Sequence, residues 1–249
     1  MFLVFRNPQE IAQYVSEQLV KLVKNKPQAV LGLATGSTME PVYERFCADA
    51  REQELDVSQL ISFNLDEYLG LSPEHPQSYQ YYMNKHLFER LNFAKQKTFL
   101  PYGTVEDIEA HCQEYSKKIA DCGGIDLQLL GVGANGHIGF NEPGTPFNSR
   151  THVVELSKQT RIDNGRFFDS MDEVPTQAVT IGLQDIMDAK AIILIATGKN
   201  KAQVMADLYA STTDEQMPAS VLKNHNNVLF IVDKKAASKL PAEACRIIE

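Results

Sequence analysis

Ile125-Asp126-Leu127-Gln128-Leu129-Leu130 runs directly into Gly131-Val132-Gly133-Ala134-Asn135-Gly136-His137-Ile138-Gly139-Phe140-Asn141-Glu142-Pro143-Gly144. A short apolar run that breaks into glycines reads as a buried parallel strand delivering its loop to the carboxyl edge of a sheet, where open α/β folds place their ligands. The loop gathers a histidine, a glutamate and two asparagines within eight residues. A glycine-rich turn with one solvated histidine is the plain alternative. The concentration of polar side chains favours a ligand site.

Outward from this stretch, apolar strand-like runs alternate with amphipathic helical ones. The runs are Phe2–Phe5, Ala29–Leu33, Leu60–Phe63, Ile125–Leu130, Ala191–Ile195 and Val228–Val232. That alternation predicts an α/β fold: one doubly wound, mostly parallel sheet with helices on both faces. Asn7, Pro8 and Glu10 have the spacing of a helix start, and Ile11, Val15, Leu19 and Leu22 share the face that follows. Val153-Val154 and Ala178–Ile181 read as strands of an accessory layer, and Ala236–Ile248 reads as helical. With no linker or repeat in sight, residues 1–249 are expected to form a single domain.

Composition narrows the function. At 249 residues, 43% apolar and 22% charged, the chain is long enough to bury a substantial core. It has no run near the ~20 apolar residues of a membrane span and no leader-like start, so a cytoplasmic protein is expected. Cys47, Cys112, Cys122 and Cys245 lack C-x-x-C spacing and are expected as reduced thiols rather than zinc ligands or disulfides. A net charge of −8 without a basic run argues against nucleic acid and acidic membranes as partners.

Three further loops follow predicted strands. Ala34-Thr35-Gly36-Ser37-Thr38 precedes a helix marked by Met39, Val42, Tyr43 and Phe46, a pattern suited to an anion at a helix N-terminus, or to ordinary capping by Ser37 or Thr38. It matches neither dinucleotide nor nucleoside-triphosphate fingerprints. Asn64-Leu65-Asp66-Glu67-Tyr68 carries two carboxylates at a strand end, where either serves as a base or both cap the next turn. Thr197-Gly198-Lys199-Asn200-Lys201 supplies ammonium groups, while Arg161 and Arg166 flank residues 162–165; each is a phosphate clamp or a solvated charge. Tyr68, Tyr79, Tyr81, Tyr82 and His75 either close over a ligand or simply pack.

Together, and in this order, these loops and Ser149-Arg150-Thr151, Thr160-Arg161 and Arg166-Phe167-Phe168 resemble the glucosamine-6-phosphate deaminase family over essentially the whole chain. The resemblance implies the Rossmann-like fold shared with ribose-phosphate isomerases and conversion of glucosamine 6-phosphate and water to fructose 6-phosphate and ammonia, with no organic cofactor and no metal. It implies that Asp66 moves the C2 proton to C1, that His137 opens the pyranose ring, that Glu142 orients His137, and that Ser37, Arg166 and Lys201 contact phosphate beside Gly36 and Thr38. Asn135 is a departure, since many members carry aspartate there; with Glu142 alone, His137 should be less basic than in those members. The chain also stops soon after its last strand where longer members continue, which favours a monomer or small homo-oligomer with simple kinetics. Among relatives of this fold, a 6-phosphogluconolactonase would call for arginine where Tyr68 stands. A sugar-phosphate sensor would carry a helix-turn-helix for which residues 1–28 leave no room, and a ribose-5-phosphate isomerase would shift the proton without losing ammonia.

Overall fold

In the computed structural model, which describes residues 1–165 and 168–248, eleven strands are formed. They are β1 Phe2–Phe5, β2 Val30–Leu33, β3 Ile61–Asn64, β4 Asp66–Tyr68, β5 Thr98–Phe99, β6 Leu127–Leu130, β7 His152–Glu155, β8 Gln177–Thr180, β9 Ile192–Ala196, β10 Val228–Asp233 and β11 Cys245–Ile247. The α-helices are α1 Pro8–Asn25, α2 Glu40–Glu52, α3 Tyr79–His86, α4 Ile108–Asp121, α5 Lys158–Gly165, α6 Leu183–Met187 and α7 Ala202–Ala210. Eight strands form one parallel sheet in the order β11-β1-β10-β9-β6-β2-β3-β5, with the helices around it. The central strands β2, β6 and β9 are buried along their whole length, as strands covered on both faces must be.

The chain builds outward from β2 through β3 to β5, then returns to β6 beside β2 and builds the other way through β9 and β10. The loops after β2 and β6 therefore diverge at the point where strand order reverses, which opens a crevice at the carboxyl edge. Pairing there needs a glycine: Gly32 lies opposite Gln128, and a Cβ at Gly32 would sit 2.1 Å from the Gln128 side chain. At the start of α1, Asn7 accepts the Glu10 N–H at 3.0 Å with Pro8 in the first turn, as expected. Ile11, Val15, Leu19 and Val23 are buried, and Leu22 is half-buried at the edge of that face.

A second, antiparallel sheet has the order β4-β8-β7, which accounts for the expected accessory strands. Leu65 joins the two sheets: its N–H donates to Leu33 and its carbonyl accepts from Ile181. A separate apolar cluster of Tyr68, Phe140, Leu156 and Ala178 supports this layer. The expected helix over Ala236–Ile248 does not form. Pro241 cannot continue a helix, and the segment makes short 3₁₀ turns at Ala236–Lys239 and Ala242–Ala244 before β11 pairs with β1. Cys47 and Cys112 are buried, Cys122 and Cys245 half-buried, and all four are free thiols. No helix among the described residues is long and apolar enough to cross a membrane.

Candidate active site

A cavity of about 710 Å³ opens at the crevice. Gly36, Ser37 and Thr38 line it from the loop after β2, Asp66 from the start of β4, His137 from the loop after β6, and Lys201 from the loop after β9. Its size suits a small polar ligand. Asn135 and Glu142 sit behind His137 rather than on the wall, and Arg166 lies outside the described residues.

The loop after β2 is held from outside. Gly36 has φ +106, a left-handed conformation that favours glycine. Its carbonyl accepts the Tyr82 hydroxyl at 2.8 Å, and the Tyr43 hydroxyl donates to Ala34 at 2.5 Å. The helix cap is Met39, which makes no side-chain bond, so capping does not account for Ser37 and Thr38. Tyr82 thus has a fixed role in this wall, whereas Tyr81 is exposed and Tyr68, Tyr79 and Phe140 pack on one another. Opposite, Lys201 donates to the Val132 carbonyl at 2.7 Å. Asp233 at the end of β10 fixes the Lys201 turn by accepting Gly198 N–H at 3.1 Å and Ala236 N–H at 2.7 Å. Lys199 is exposed and off the cavity wall; the Arg161 guanidinium bonds the Met171 and Val174 carbonyls at 3.1 and 3.0 Å. Those two cations serve the surface and a neighbouring turn.

Asp66 and Glu67 differ by where the β-pleat points them. The Glu67 carboxylate accepts the N–H groups of Tyr68 at 2.9 Å, Tyr79 at 3.1 Å and Gln80 at 3.0 Å, and so anchors the first turn of α3. Burial raises its pKa and those three donors pull it back. Asp66 faces the cavity, 6% exposed. Burial, and secondarily the charge of Glu67, push its carboxyl up to about 8, so once ionised it is a far better base than a solvated aspartate.

The His137 ring lies against Gly133: a Cβ there would meet it at 2.1 Å. Its Nδ1 faces Glu142 Oε2 at 3.8 Å. The same oxygen accepts the Asn135 side-chain N–H at 2.7 Å, and Asn135 Oδ1 accepts the His137 backbone N–H at 3.2 Å. Glu142 Oε1 accepts the hydroxyl of Thr160, on α5. Asn141 is turned away, tying the loop to Ile138 and Ile181 at 2.9 and 2.8 Å. Sequence reasoning missed Thr160 and Asp233 as supports of the site and offered Tyr82 only as a cover for the ligand or a packing group. The Thr160-Arg161 pair was a visible signal for the first; the other two act through folds of the chain that no local pattern marks. Among the described residues no group of three or more His, Cys, Asp or Glu side chains is arranged to hold a metal ion.

The arrangement offers a basic carboxylate, an imidazole backed by a carboxylate, and an anion-holding end, which together suit proton shifts on a phosphorylated small molecule. Residues 7–231 match the family model described as glucosamine-6-phosphate isomerases/6-phosphogluconolactonase. The chain is 48% identical over 241 residues to a glucosamine-6-phosphate deaminase of Geobacillus sp. (strain WCH70), covering 97% of this chain and 96% of the relative. Against that of Clostridium perfringens (strain 13 / Type A) the figures are 46% over 238 residues, 96% and 98%. Among solved structures, a monomeric glucosamine-6-phosphate deaminase superposes with TM-score 0.94 at 42% identity, covering 96% of this chain and 100% of that one. A 6-phosphogluconolactonase from Trypanosoma brucei shares the fold at TM-score 0.76 and 21% identity, over 96% of this chain and 98% of that one.

Proposed function

Since the chain belongs to the glucosamine-6-phosphate isomerase/6-phosphogluconolactonase family, we propose that it is a glucosamine-6-phosphate deaminase, converting glucosamine 6-phosphate and water to fructose 6-phosphate and ammonia. The observation that carries this reading is that Asp66, at the start of β4, and His137, from the loop after β6, face one cavity with the Gly36–Thr38 turn and Lys201 on its wall. Ser37, Thr38, the backbone around Gly36 and Lys201 hold the phosphate, and Arg166 joins them in this reading. His137 takes the proton of the anomeric hydroxyl and gives one to the ring oxygen, opening the sugar; an imidazole suits that exchange near neutrality. Glu142, steadied by Asn135, stabilises the imidazolium.

Asp66 then removes the C2 proton of the open chain, leaving an enolamine, and returns it to C1. The product is an imine at C2. Water adds there and ammonia departs, so the carbon skeleton leaves as the ketose. Because the base must be ionised, kcat/KM rises as Asp66 loses its proton, on an acid limb that extends towards pH 8 in the free enzyme.

The test is ammonia release and fructose 6-phosphate formation by the purified chain, with Asp66→Asn as control. Equal yields of the two products, with kcat reduced roughly 10²–10⁴-fold in the variant, are expected. Hydrolysis of 6-phosphogluconolactone instead, or saturable sugar-phosphate binding without turnover, would overturn the reading. We extend the monomeric state of the solved relative to this chain; a sedimentation coefficient that rises with concentration would refute it.

A further inference from the structure

We propose that Thr160 is a positioning residue that locks Glu142 in place for His137, with Ser157 setting the direction of its hydroxyl proton. The hydroxyls of Ser157 and Thr160 meet at the start of α5. Ser157 Oγ accepts the Thr160 N–H at 3.1 Å and donates its own proton to Thr160 Oγ1 at 2.9 Å. The Thr160 oxygen is thereby an acceptor, and its single proton goes to Glu142 Oε1, which as a carboxylate can only accept. With Asn135 on Oε2, one donor holds each oxygen of the carboxylate and fixes its plane, leaving Oε2 turned towards the imidazole. Thr160 is 4% exposed, so bulk water does not replace its hydroxyl.

Among the described residues no charged side chain bonds the Glu142 oxygen that Thr160 holds. Among the described residues, the charged groups sharing the cavity with His137 are Asp66, at the start of β4, and Lys201, in the turn after β9. On α5, Lys158 is exposed and Arg161 is bonded to the Met171 and Val174 carbonyls. From the segment packed on Gly136, Met217 contributes a thioether and Glu215 accepts the Phe147 N–H at 3.2 Å. Among the described residues, the hydroxyl relay at the start of α5 is what holds the outer oxygen of Glu142.

Removing the Thr160 hydroxyl withdraws a donor from the charged form of a half-buried carboxylate, which becomes more basic and favours the imidazolium more strongly. Thr160→Val keeps the shape and loses the proton. It should lower kcat by about ten- to a hundred-fold, as loss of a hydrogen bond to a charged group does, with KM changed less than about two-fold. A second acid limb, set by loss of the His137 imidazolium proton and separate from that of Asp66, should move to higher pH, and Thr160→Ser should restore both. Kinetics presuppose the deaminase reading, so the imidazole is also titrated directly through the His137 Hε1 resonance, assigned with His137→Asn. Thr160→Val moves that titration upward and Thr160→Ser returns it. Ser157→Ala, which leaves the Thr160 hydroxyl in place but free to rotate, gives a smaller shift of the same sign. A His137 titration unmoved in both Thr160→Val and Ser157→Ala overturns the proposal, whatever happens to kcat. Absence of ammonia release by the parent chain overturns the deaminase reading instead and leaves the titration to decide.

Discussion

Asp66 and Glu67 are neighbours in sequence, both buried, yet only one has its oxygens filled by backbone donors. Glu67→Gln should therefore act twice. It removes the like charge that helps hold Asp66 high, so the Asp66 limb of the pH–rate profile moves to lower pH. It also weakens the anchoring of α3, costing roughly 1–3 kcal/mol in denaturant titrations. A limb that stays put would show that Glu67 does not tune its neighbour. Asn135→Asp addresses the other pair. The asparagine reaches the imidazole through Glu142, so a carboxylate there would sit against another acceptor and one of the two would hold a proton. The His137 limb should still move to higher pH, by less than about one unit. An unmoved limb would mean that residue 135 has no part in setting it.

At the scale of elements, the loop after β6 shows why a glycine can be irreplaceable without an unusual backbone. Gly133 is needed for the close approach of the His137 ring. Gly133→Ala should leave the circular dichroism spectrum intact while lowering kcat about 100-fold, the effect of a displacement near 1 Å at a reacting group. A variant with native kcat would show that the ring has room to move. Apolar runs made six of the eight strands of the main sheet readable from sequence, because burial on both faces leaves few polar residues in them. The strands β4, β5 and β11 escaped that reading. Asp66-Glu67-Tyr68 is a strand only because β8 pairs with it from far along the chain, and Cys245–Ile247 only because β1 offers a free edge. The site was legible to the same degree: residues clustered in a loop stood out, whereas Thr160, Tyr82 and Asp233 act by reaching across the fold.

For the molecule as a whole, a carboxyl held near 8 makes stability depend on pH. An unfolded aspartate titrates near 3.9, so between about 4 and 8 the folded state keeps a proton that the unfolded state has lost. Stability therefore falls as pH rises through that window, and the contribution is fully present only below it. Asp66→Asn abolishes the slope. It should melt higher than the parent at pH 8; even one pKa unit is worth ~1.4 kcal/mol, or roughly 3–6 °C in a chain of this size. Melting curves from pH 5 to 9 that run parallel for the two proteins would exclude this. The reversal of strand order between β2 and β6 has a kinetic counterpart. Thr38, Asp66, His137 and Lys201 meet only after long loops have closed, and such closures are slow because their entropy is lost before contacts reward it. Sugar-phosphate affinity should accordingly emerge last on refolding, which makes ligand capture a clock for completion of the sheet.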